Sequence, residues 1–253
     1  MNKLSPAAPR IAIANLTLGY EGHPAVHHLS GEMPAGSMTA VVGPNGSGKS
    51  TLLKGIVGLL KPIHGHIEID GLGGNAISYL PQQANIDRTF PISVEETASL
   101  GLWSRCGTFG GVSRPERERV ARAISAVGLE GFEQRTLDTL SGGQVQRVLF
   151  ARVLVQDSPL ILLDEPFNAI DANTAGDLMN LIERWHKERR TVVAVMHDLD
   201  LARDRFPNAL LLAREKIAWG ETCDVITPAN LLKARNMSEC WDDDAPWCER
   251  EAV

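Results

Sequence analysis

Apolar residues recur along the chain with two periods, and the switch between them outlines the architecture. Ile11 to Leu18 alternates polar and apolar positions, which predicts an edge strand with one face on a core. Met38 to Val42 is a continuous apolar run ending in a glycine-rich turn. From Ser50 to Leu60 apolar positions return at helical spacing, until Pro62 stops the run. His66 to Ile69, ahead of Asp70 and Gly71, predicts a short strand entering a turn. Between Gln82 and Val155 strand signals nearly vanish. Ser93 to Glu96 has the form of a capping box, and Pro115 to Gly128 and Ser141 to Val155 have helical patterning, with Gly107 to Ser113 as a flexible loop. Leu160 to Leu163 and Thr191 to Met196 are apolar on every position, as strands buried on both faces are, and Thr174 to Arg189 between them predicts a helix. Strands alternating with helices predict an α/β chain with a parallel sheet, whose ligands sit at the carboxyl ends of the strands.

Composition narrows the classes. No apolar run approaches the roughly 20 residues that cross a bilayer, and the first ten residues carry no apolar signal segment, so a soluble chain is expected. Twenty-five basic against 31 acidic residues leave a net charge of −6, which argues against a nucleic-acid partner. Cys106, Cys223, Cys240 and Cys248 form no short paired spacing and read as reduced thiols.

Chemistry concentrates at three places. The segment Gly43-Pro44-Asn45-Gly46-Ser47-Gly48-Lys49-Ser50, followed by Thr51, fits the spacing of a phosphate-binding loop between a strand and a helix. Its glycines let backbone amides turn inward onto phosphate oxygens, and the helix N-terminus adds its positive end. Lys49 is expected to reach the β- and γ-phosphates and the Ser50 hydroxyl to ligate Mg²⁺. Asp164 and Glu165 close a buried strand, where carboxylates need a cation. Asp164 is expected to hold Mg²⁺, and Glu165 to orient or deprotonate a water. His197 ends the next strand and is expected at the γ-phosphate. Gln82, after Tyr79-Leu80-Pro81, can carry an amide to the metal or the water.

Leu140-Ser141-Gly142-Gly143-Gln144 opens a helix with an N-cap serine and two glycines, a second anion site. One chain with one phosphate loop does not need it. A spare site is explained if it closes on the nucleotide held by another copy.

Taken together, GPNGSGKST at Gly43 to Thr51, YLPQ ending at Gln82, LSGGQ at Leu140 to Gln144, LILLDEP at Leu160 to Pro166, and His197 resemble the ATP-binding-cassette family, over nearly the whole chain and in the family's order. The resemblance implies a P-loop NTPase fold with a parallel-sheet core, an N-terminal antiparallel β subdomain and a helical insert. It divides a single domain into a core at 10–81 and 156–222, a helical part at 82–155 and a C-terminal extension at 223–253. It places Tyr20 on the adenine and Asp171 at the end of an inter-subunit loop. It further implies a head-to-tail homodimer with two ATP molecules, an integral membrane permease subunit that docks after Gln82, and an extracytoplasmic solute-binding protein. The chain would then lie peripherally on the cytoplasmic face of the inner membrane.

The stretch from Pro81 to Glu96, above all Phe90-Pro91-Ile92-Ser93-Val94-Glu95, is similar to importers of metal ions, with zinc favoured and then manganese. An iron-chelate importer is the runner-up, and a cassette without a membrane partner, as in iron–sulfur cluster assembly, is a third reading. His23, His27, His28, His64 and His66, and Cys240 and Cys248 about Trp241 to Asp244, are metal-ligand types, but the seven residues between the cysteines fit no short ligand pair. The acidic tail from Asn236 is expected to pack separately or to be mobile.

Overall fold

The computed structural model describes residues 8–21, 23–72, 77–82, 87–103 and 111–239. Loop residues 107–110, Cys106, and the tail from Cys240 with both of its cysteines lie outside them. Strand β1 (Arg10–Tyr20) pairs antiparallel with β2 (His23–Met33) and β4 (His64–Asp70) in a sheet ordered β2-β1-β4. The second sheet has six strands. Its order is β5 (Ile77–Leu80), β6 (Leu160–Asp164), β7 (Thr191–Val195), β3 (Met38–Val42), β8 (Asn208–Ala213) and β9 (Glu215–Glu221). All neighbours are parallel except β8 and β9. This is the α/β parallel-sheet core with an antiparallel layer that the sequence predicts.

The unbroken apolar runs follow from burial on both faces, because successive side chains point to opposite sides of a sheet. Val41, Leu160, Leu162, Val193, Val195, Leu210 and Leu212 pack with Ile11, Leu18, Val26 and Leu29 of the antiparallel sheet, and with Leu52, Leu53 and Ile56 of α1 (Lys49–Ile56). Their neighbours Ala40, Val42, Ile161, Leu163, Val192, Ala194, Ala209 and Leu211 belong to the other cluster, with the helices.

Those helices are α2 (Val94–Ser99), continued by a 3₁₀ turn at Leu100–Leu102, α3 (Arg114–Ala126), α4 (Gly142–Gln156) and α5 (Ala172–Lys187). Three more, α6 (Leu199–Arg205), α7 (Thr222–Val225) and α8 (Pro228–Glu239), follow toward the C-terminal end of the described residues. The Ser93 N–H donates to Glu96 and the Glu96 N–H to the Ser93 hydroxyl, so the expected capping box starts α2. Between β5 and β6 the described residues form no strand, only a bridge from Ser93 to Thr136.

Three expectations are corrected. The tail expected from Asn236 to pack separately or to be mobile begins inside α8, where Met237 packs on the core, and only its part from Cys240 lies outside the described residues. β1 is the central strand of its sheet, not an edge. Its alternation reports that one face is buried and says nothing of how many neighbours bond to it. Helix α1 stops at Ile56, well before Pro62, because Gly58 turns left-handed at φ 82° and the N–H groups of Leu59 and Leu60 fold back to the Lys54 carbonyl.

Candidate functional site: a phosphate loop facing two carboxylates

Parallel order puts the carboxyl ends of β6, β7 and β3 side by side, with β5 next to β6. Four separated segments of sequence therefore meet at one sheet edge. They line a cavity of about 990 Å³ with Asn45 to Thr51, Gln82, Glu165 and His197 on its walls.

The loop leaving β3 is held open by its glycines. A Cβ on Gly43 would lie 1.9 Å from the Leu212 carbonyl oxygen, and one on Gly48 would lie 2.3 Å from that of Ala25, at φ 151° and 91°. Only glycine accepts both conditions. Lys49 is nearly buried and its ammonium donates to the carbonyls of Gly43 (2.9 Å) and Pro44 (2.7 Å). Burial lowers its pKa, while Glu165 and Asp164 act to raise it. The Ser47 hydroxyl is buried and has no hydrogen-bond partner among the described residues. An unpartnered hydroxyl and a buried ammonium in a loop of turned-in amides suit a polyphosphate.

Asp164 is fully buried at the end of β6 and accepts from the Ser50 hydroxyl at 2.8 Å. Burial raises its pKa, opposed by that hydrogen bond, and Glu165 raises it further. The phenol of Tyr79 lies 3.5 Å from the other Asp164 oxygen and is pushed above its ordinary range by burial and by that carboxylate. A buried carboxylate beside a hydroxyl, with the Gln82 amide on the same cavity, is an all-oxygen donor set. It fits a small hard dication such as Mg²⁺.

Glu165 follows with φ 51°, in the left-handed region that side chains with a Cβ rarely occupy. That turn points its carboxylate into the cavity, where Oε1 lies 2.7 Å from His197 Nε2 and Oε2 accepts from Asn168 at 3.4 Å. Asn168 and Asp198 line the cavity without having been expected there. Asp198 caps α6 through the N–H groups of Asp200 and Leu201, a capping position that follows directly on His197.

Other expected residues lie elsewhere. Tyr20 is off the cavity wall, half-exposed, with the Lys54 ammonium donating to its hydroxyl at 3.3 Å and lying 5.6 Å from its ring centre. Gly43 and Pro44 reach the site through their carbonyls to Lys49. Leu140 is a core residue, and Ser141 and Gln144 cap each other at the start of α4. None of Leu140 to Gln144 lines this cavity. Gly143 is glycine for a packing reason, since a Cβ there would lie 2.7 Å from the Ala169 carbonyl oxygen. Asp171 caps α5 by accepting from the Thr174 N–H at 3.0 Å. The histidines gather no ligand set. Among the described residues the one such group is Glu221, Cys223 and Asp224, all exposed.

Residues 26–168 match the family described as ABC transporter. The chain is 37% identical over 227 residues to the manganese transport system ATP-binding protein MntB of Bacillus subtilis, covering 88% of this chain and 91% of that protein. It is 35% identical to the zinc transport system ATP-binding protein TroB of Treponema pallidum, over 92% and 90% of the two chains. Among solved structures it resembles a dimeric ATP-binding cassette in a post-hydrolysis state with ADP and phosphate, with a TM-score of 0.74 and 28% identity over 84% of this chain and 98% of that one. The phosphate loop, the carboxylate pair and the fold thus have a common explanation: the chain belongs to the ABC transporter family, as an ATP-binding cassette.

Proposed function

We propose that the chain hydrolyses ATP to drive import of a divalent metal ion through a separate integral membrane permease subunit. In this reading it works as a head-to-tail homodimer, peripheral to the cytoplasmic face of the inner membrane, and the permease takes its cargo from an extracytoplasmic solute-binding protein. The observation that carries the reading is the facing of the phosphate loop and the Asp164–Glu165 pair across one cavity. The relatives named for manganese and zinc transport support the cargo class and divide on the metal.

The phosphate loop binds the triphosphate through its amides, and Lys49 exchanges its two carbonyl partners for phosphate oxygens. Ser50 and Asp164, with Gln82, would hold Mg²⁺, which supplies charge neutralisation at the β- and γ-phosphates. Glu165 takes the proton of the attacking water, and its contact with His197 fixes the carboxylate before the water arrives. His197 is then placed to donate to the γ-phosphate. The segment Leu140 to Gln144, with the bare amides of Gly142 and Gly143, completes the site of the other copy, a reading supported by a related cassette being a dimer with ADP and phosphate.

The division into core (10–81 and 156–222), helical part (82–155) and extension (223–253) belongs to the same proposal. The helical part offers the permease a surface: Phe90, Leu100 and Trp103 are large, apolar and exposed on the segment that follows Gln82. No helix among the described residues is long and apolar enough to cross a membrane, so contact with the bilayer comes through that partner.

Co-purification tests the assignment. Tagged wild-type chain is expected to recover a polytopic membrane protein, and Phe90→Asp with Trp103→Asp to lose it while ATPase activity stays within about twofold. Failure of the wild type to recover any such protein contradicts the transport reading. A deletion strain limited by chelator, restored by zinc or manganese and not by iron, fixes the cargo; restoration by iron alone moves it to an iron chelate.

A further inference from the structure

The turn at Glu165 needs a support that its own strand does not provide. Its φ of 51° is unfavourable for a residue with a Cβ and persists only where the surroundings hold it. The carbonyls that the turn leaves without a strand partner are those of Glu165 and Pro166. The side-chain amide of Gln146 donates to Pro166 at 3.1 Å and to Glu165 at 3.4 Å, and the Asn168 N–H donates to Glu165 at 3.2 Å.

Gln146 lies in the first half of α4 and is fully buried, beside Val145, Val148 and Leu149. Its Oε1 has no hydrogen-bond partner among the described residues. A buried amide with one half unsatisfied is a poor way to fill a core position, where an apolar side chain of the same volume costs less. The half that is satisfied does one thing, which is to grip the turn that aims Glu165.

The same helix touches the far end of that loop. Gly143 rests against the Ala169 carbonyl, so the stretch from Glu165 to Ala169 is braced at both ends by α4, whose first turn carries Ser141 to Gln144. Arg152 and Gln156, further along α4, donate to the carbonyls of Tyr79 (2.7 Å) and Ile77 (2.8 Å), on the strand that leads to Gln82.

We propose that Gln146 is the positioning residue for Glu165, linking the carboxylate's placement to the helix whose tip reads the nucleotide of the opposite subunit. The proposal rests on the reading of Glu165 as the base. Its consequence is that a shift of α4 at its Ser141 end is passed on to the turn that carries Glu165.

The test is Gln146→Met in the full chain, which keeps the volume and removes the donor. The expected result is a kcat at least about tenfold lower with KM for ATP within twofold, since misplacing a reacting group by about 1 Å can cost about 10²-fold in rate. Binding of a fluorescent ATP analogue stays unchanged, the melting temperature stays level or rises, and the ATP-dependent dimer of the Glu165→Gln background persists. Gln146→Glu, which keeps the shape and sets an acceptor against two carbonyls, is expected to show the same split. A kcat within twofold of wild type in both variants overturns the proposal. So does a loss of kcat matched by lost nucleotide binding and a lowered melting temperature, which would mark Gln146 as a packing residue. If instead Glu165→Gln turns over ATP at the wild-type rate, the functional reading itself fails, and this one with it.

Discussion

Asp164 is where the site's demands on a single residue conflict most openly. Its carboxylate is fully buried, and burial raises its pKa even though Ser50 donates to it. Because the folded state then holds the proton more tightly than the unfolded chain, the nucleotide-free protein loses stability as pH rises from the ordinary carboxylate value through the raised one, and levels off above it. Cation binding needs the ionised form, so Mg²⁺-dependent nucleotide binding weakens as pH falls through the raised pKa. Asp164→Asn, which can still accept from Ser50, is therefore expected to raise the melting temperature of the nucleotide-free chain, by about 2–4 °C per kcal/mol regained. It also abolishes the further rise given by ATP with Mg²⁺. A thermal melt with and without nucleotide reads both. An Asn variant that melts lower than wild type without nucleotide contradicts the burial argument. At this scale the sequence was informative wherever a residue type had no other use in its context, as with Lys49 after the loop Gly43 to Gly48, or two acids closing the apolar strand Leu160 to Leu163. It was silent on the left-handed turn at Glu165 and on the amide of Gln146, since both depend on which segments meet in space.

Among the elements, the buried strands were the most readable, because a strand covered on both faces leaves no polar position to blur it. The place of β1 was not readable, since alternation is the same for a central and an edge strand with one covered face. The hairpin of β8 and β9 was not identified at all. Leu210 to Leu212 is a short apolar run, which periodicity alone cannot distinguish from a piece of helix. Close approach between elements was equally hidden. Gly101, in the turn after α2, lies so near α4 that a Cβ would meet the Arg152 carbonyl oxygen at 2.4 Å. Gly101→Ala is thus expected to push the arm of α2 away from α4, costing about 1–3 kcal/mol and lowering the melting temperature accordingly. ATPase activity should fall with it, since α4 carries Ser141 to Gln144. An unchanged melt would mean that the two elements are less rigidly docked than the geometry requires.

For the molecule as a whole, the proposed function requires one chain to present two half-sites. The phosphate loop, Asp164, Glu165 and His197 converge on one cavity, whereas Leu140 to Gln144 lie off it. This was legible from sequence only as a surplus, a second anion-binding helix start in a chain with a single phosphate loop. If hydrolysis is tied to closure of two copies, blocking the base must trap the closed pair. Light scattering of the Glu165→Gln chain measures this directly. With ATP and Mg²⁺ the mass is predicted to double from the 27.5 kDa of one chain, and to remain at one chain when Ser141→Arg is added. A Glu165→Gln chain that stays monomeric in saturating ATP, or a dimer indifferent to Ser141→Arg, would contradict the account.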